Sequence, residues 1–119
     1  MAQASGAGVP PIIVAEGWDV QFYPTVDAAA NDLEAIDVRE GVYDVYDSLG
    51  TRLAGVVDER LGTVNIVLPL TPTVAPQELA ERLSGFVVRV GPERVGLPEP
   101  AGATLPELVS ALGSFFKVR

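Results

Sequence analysis

The stretch Gly41-Val42-Tyr43-Asp44-Val45-Tyr46-Asp47, with Ser48-Leu49-Gly50 and Arg52-Leu53-Ala54-Gly55-Val56-Val57 after it, decides the fold of this chain. Both apolar runs are rich in aromatic and β-branched residues, which pack well on a pleated surface. Between them, Gly50 is free to take the positive φ that a hairpin turn requires. A second turn at residues 58–62 leads to Thr63-Val64-Asn65-Ile66-Val67-Leu68, in which Val64, Ile66 and Leu68 alternate with Thr63, Asn65 and Val67. Alternation with a period of two sends the first set to a buried face and the second to water. Pro69 ends the run, because proline cannot donate to a ladder bond. Residues 41–70 therefore read as three antiparallel strands.

Toward the N-terminus, Ile12-Ile13-Val14-Ala15 makes a short apolar strand and Glu16-Gly17 a two-residue turn. Trp18, Val20 and Phe22 then share the inner face of a half-buried strand, which makes Trp18 a core anchor. Pro24 stops that strand. Thr25 stands where an N-cap belongs, ahead of a helix over residues 26–36 with Ala29, Ala30, Leu33 and Ile36 facing inward. Toward the C-terminus, Pro76 suits a first helical position, and Leu79, Leu83, Phe86, Val87 and Val90 form an amphipathic stripe. Residues 86–90 are β-branched enough to read as either helix or strand. Gly91-Pro92 closes the segment, and residues 93–103 hold enough glycine and proline to be a loop. Thr104-Leu105-Pro106-Glu107 matches a capping box at the start of a last helix.

The order β-β-α-β-β-β-α-α predicts an α+β fold: an antiparallel sheet of about five strands with the helices packed on one face. Residues 1–9 read as a flexible tail and residues 10–119 as a single α+β domain, long enough to bury one core. The tail has no basic segment followed by an apolar one, so it is not a signal peptide, and the protein is read as cytoplasmic.

The 119 residues include neither cysteine nor histidine. That excludes thiol nucleophiles, thiolate or imidazole metal sites and histidine general bases. No loop has the Asp-x-Asp-x-Asp-Gly spacing of a calcium site, so no metal or cofactor is expected. With a single lysine, Lys117, and no nucleophile elbow, the reading is non-enzymatic, the alternative being an all-carboxylate site with raised pKa values, for which Asp44 and Asp58 with Tyr46 are the candidates.

Charge is the most informative feature. Glu16, Asp19, Asp27, Asp32, Glu34, Asp37, Glu40, Asp44 and Asp47 lie in one window against the single base Arg39, so this window carries the whole net charge of −8. Such a field repels nucleic acid and anionic membranes and speeds encounter with a basic partner. The expected partner-binding surface is Asp27, Asp32, Glu34, Asp37, Glu40, Asp44 and Asp47. The alternative is a small structural or small-molecule-binding domain whose acidity serves solubility.

Tyr46-Asp47-Ser48-Leu49-Gly50-Thr51-Arg52-Leu53 resembles one unit of the YD repeats in the large shell proteins of bacterial toxin systems. The same residues are also a good strand, turn and strand, with Asp47 bonding the turn backbone. Over residues 12–68, the Trp-Asp-Val strand, the acidic helix and the Gly-Val-Tyr-x-x-Tyr-Asp-x-x-Gly hairpin are similar to small bacterial α+β proteins of the polymorphic-toxin immunity type. That resemblance implies a protein-binding inhibitor, immunity- or antitoxin-like, that engages a basic protein.

Residues 61–77 carry no charge. A charge-free edge strand pairs readily with another chain, so the strand at residues 63–68 is expected either inside the sheet or at a homodimer contact through Thr63, Asn65 and Val67.

Overall fold

The period-two alternations become ladders. In the computed structural model, which describes residues 8–118, five strands form one antiparallel sheet: β1 (Ile12–Glu16), β2 (Asp19–Tyr23), β3 (Asp44–Tyr46), β4 (Arg52–Asp58) and β5 (Thr63–Val67). Their order across the sheet is β2-β1-β3-β4-β5. The helices are α1 (Val26–Asp32), α2 (Ala35–Arg39), α3 (Pro76–Val90), α4 (Pro92–Val95) and α5 (Leu105–Phe115). The α+β class and the five-stranded antiparallel sheet agree with the sequence reading.

The helices do not share one face, however. Ile12 and Val14 of β1 pack with Ala29, Ala30, Leu33, Val45, Leu53 and Ile66 under α1 and α2. Ile13 and Ala15 point the other way, joining Val20, Phe22 and Tyr46 beneath Leu79, Leu83, Phe86 and Val87 of α3 and Leu108 and Leu112 of α5. The reason is in β1, where Ile12, Ile13, Val14 and Ala15 are all buried. A strand apolar on both faces needs a cover on each.

Several boundaries shift for local reasons. The first hairpin turns at Gly17-Trp18, because Glu16 already pairs with Asp19 and Gly17 takes the positive φ of 60°. This one-residue shift puts Trp18 at the tip, 74 % exposed, and not in the core. The helix expected over residues 26–36 breaks in two, since Leu33 turns extended, at φ −87° and ψ 142°, and its side chain joins the core. Ile36 is consequently exposed. Residues 86–90 are helical, completing α3, and the stretch read as a loop contains α4 and a 3-10 turn at Pro100–Gly102. β5 is the last strand of the sheet, not an interior one, and Leu68 lies exposed beyond its end.

Residues 1–7 of the expected tail lie outside the described residues. Gly8 and Val9 belong to the fold: Val9 N–H donates to the Asp47 carboxylate at 3.1 Å, and its carbonyl accepts from Ser48 N–H at 2.9 Å. Thr25 caps α1 by accepting from Ala28 N–H, and Thr104 and Glu107 complete the capping box of α5.

Candidate functional site

The acidic window does not fold into one surface. Asp47 is 3 % exposed, and its carboxylate accepts from the backbone N–H groups of Leu49, Thr51 and Val9, so it is a turn-forming residue and not part of a binding surface. Asp44 is half-buried in a network that ties the sheet to α3. It pairs with Arg52 at 2.9 Å and with Arg82 at 2.6 Å, while Arg52 also reaches Glu78 at 3.0 Å. Tyr46 hydroxyl donates to Glu78 and accepts from Arg82 Nε, and the Arg52 guanidinium lies over the Tyr46 ring. Two acids balance two bases there, which leaves Asp44 no spare charge for a partner.

The free negative charge gathers elsewhere. Because period two sends Val14, Glu16, Asp19, Gln21 and Tyr23 to the α1 side of the first hairpin, they meet the chain that crosses from α1 to α2. Glu16, Asp19, Asp32, Glu34 and Asp37 line one concavity of about 340 Å³ with Tyr23, Tyr43, Val14, Gln21 and Leu33. Among the described residues no lysine or arginine lines it. Tyr23 hydroxyl donates to Asp32 at 2.5 Å and Tyr43 hydroxyl to Asp37 at 3.3 Å, which orients both carboxylates. Burial raises the pKa of each tyrosine, and for Tyr23 the hydrogen bond to Asp32 adds to it. Both phenols therefore remain neutral donors across the physiological range. Among the described residues no group of three carboxylates converges closely enough to hold a metal ion.

Of the expected surface, then, Asp32, Glu34 and Asp37 come together, joined by Glu16 and Asp19 from the hairpin. Asp27 and Glu40 are exposed but do not line the cleft. The strand alternation of Glu16 and Asp19 with Val14 and Gln21 was the available signal for the two that join.

The buried Tyr46 gives a test of the network. Burial, then donation to Glu78, pushes its pKa up to about 12. The unfolded chain releases this proton near pH 10 and the folded chain only near pH 12, so the stabilisation is complete below pH ~10 and is lost as pH rises through that window. Urea midpoints are expected to fall between about pH 9.5 and pH 11.5, and less steeply in Tyr46→Phe, with Tyr23 leaving a residual slope. An unchanged slope in the variant would refute this assignment.

Set beside known proteins, the chain finds no counterpart: no family model, no curated protein and no solved structure matches it.

Proposed function

We propose that this is a non-enzymatic protein-binding module, of the immunity or antitoxin-like kind, whose acidic cleft between the first hairpin and the α1–α2 segment engages a basic protein. The observation that carries the reading is the cleft lining, five carboxylates with two tyrosine hydroxyls and no basic residue. Lysine and arginine side chains of a partner would meet five carboxylates, two of which, Asp32 and Asp37, are already oriented by a phenol. Such surface pairs contribute little singly, and a row of them acts mainly on encounter rate and specificity.

The test is binding of an arginine-rich peptide, followed by calorimetry at low salt and at about 0.5 M salt, where screening shortens to a few Å. The combined variant Glu16→Gln, Glu34→Gln, Asp37→Asn is expected to weaken low-salt binding about tenfold, from roughly 0.5 kcal/mol per neutralised pair. Equal affinity at both salt concentrations, or in wild type and variant, would refute the cleft.

A second reading concerns assembly. β5 carries no charge, ends the sheet, and leaves Thr63, Asn65 and Val67 exposed, which favours a homodimer through this strand. Sedimentation of the wild type beside Asn65→Lys tests it; a wild-type monomer at high micromolar concentration would refute it.

A further inference from the structure

On the opposite side of the first hairpin from the acidic cleft lies a second, more apolar groove. Its volume is about 500 Å³, and Gly17, Trp18, Val20, Asp44, Glu81, Arg82 and Gly85 line it. Trp18 is the only tryptophan of the chain and overhangs this groove from the hairpin tip with most of its indole in solvent. The turn at Gly17-Trp18 places the ring there.

Gly85 stands in the interior of α3, where glycine is a poorer helix former than alanine. Its φ is not positive, and a Cβ built on it meets nothing within 4 Å, so among the described residues neither backbone conformation nor packing calls for glycine there. Its effect is to leave open the space that a side chain would take in the groove wall.

The walls are fixed in advance. Arg82 donates from Nε to Tyr46 hydroxyl at 3.1 Å, from Nη2 to Asp44 at 2.6 Å and from Nη1 to the Gly17 carbonyl at 3.3 Å. The last bond ties the hairpin tip to α3, and the pairing with Asp44 offsets the arginine's charge. Glu81 has no ion-pair partner among the described residues, so the local balance is negative, and Glu16 and Asp19 flank the same tip.

An indole face, an unpaired carboxylate, an apolar wall at Val20 and an open space at Gly85 are the complement of one side chain. We propose that this groove anchors an arginine of the basic partner, its guanidinium stacked on Trp18 and paired with Glu81, its methylene stem laid over Val20 and Gly85. This rests on the reading that the acidic surface engages a basic protein. It adds that the partner grips the hairpin tip from both sides, with the central arginine held in a preformed pocket while the cleft supplies the surrounding charge.

Trp18 lines the groove and not the cleft, and it is the only tryptophan, so its emission follows the groove most directly. The probe is the arginine-rich peptide, titrated beside a peptide of the same length with citrulline at every arginine. A saturable change in Trp18 emission is expected with the first and not with the second. Gly85→Leu should fill the groove, keep or raise the melting temperature, and weaken binding about tenfold, as for loss of a central contact. Glu81→Gln should weaken it about threefold while leaving the melting temperature unchanged. Equal responses to the two peptides would overturn the arginine as occupant. Calorimetric binding that persists in Gly85→Leu, with a silent Trp18 in the wild type, would overturn the groove and leave the cleft standing. Binding lost in Gly85→Leu but unaffected by the triple cleft variant would support the groove and overturn the cleft, and no binding by the wild type would overturn both.

Discussion

Gly50→Ala is expected to destabilise the protein by about 3 kcal/mol or more, whereas Gly62→Ala should cost about 1 kcal/mol, the ordinary penalty of a left-handed backbone carrying a Cβ. Both glycines sit at positive φ, 89° and 69°. The difference is what lies beside them. A Cβ on Gly62 meets nothing within 4 Å, while one on Gly50 would stand 2.5 Å from Cα of Pro76, the first residue of α3. That atom is backbone and cannot rotate away. Gly50 carbonyl also accepts from Ala75 N–H at 2.8 Å, so the displacement would break the bond that seats the start of α3 on the β3–β4 turn. Urea unfolding of the two variants side by side decides it, and equal losses would mean that the turn and α3 are not in contact.

Asp47→Ala is expected to cost about 3 kcal/mol, because it strands three backbone donors against a buried carboxylate site. Leu49 and Thr51 N–H both reach Oδ1, at 3.0 and 2.9 Å, and Val9 N–H reaches Oδ2 at 3.1 Å. Asp47→Asn should fall between wild type and alanine. Its amide oxygen can still accept from the turn, but its NH2 group would then face the Val9 donor. Were Asn as damaging as Ala in denaturant melts, the turn bonds would not be the source of the stabilisation. Loss of protection at the Val9 amide in both variants is the accompanying expectation, since the Asp47 carboxylate is the acceptor of that N–H.

Much of this was legible locally. Thr25, Pro76 and the Thr104–Glu107 capping box mark helix starts by chemistry confined to a few residues, and the alternation in β5 gave the correct buried residue, Ile66. The turn role of Asp47 was equally readable from Asp-x-x-Gly. Trp18 was misplaced because a two-residue turn can begin at Glu16 or Gly17 with the same residues, and only the pairing of Glu16 with Asp19 distinguishes them. Placing α1–α2 and α3–α5 on opposite faces needed the long-range insertion of β3 beside β1, although four consecutive apolar residues at Ile12–Ala15 were a hint. The Asp44–Arg52–Glu78–Arg82 network joins residues up to 38 positions apart and has no sequence signature. For the cleft, the charge window was visible, but which acids converge depends on the break between α1 and α2. That break follows from Leu33 leaving the helix.

The two-faced burial of β1 also bears on how the protein comes apart. A sheet with one covered face can shed its helices and keep its strands for a time. Here Ile12 and Val14 belong to one core and Ile13 and Ala15 to the other, so a displacement of either helical layer exposes the strand that the other layer also grips. Neither half is then expected to have a folded state of its own to retreat to: unfolding should be all-or-none, with the β1 amides the last to exchange with solvent, and a separate early melting of either helical layer would contradict this.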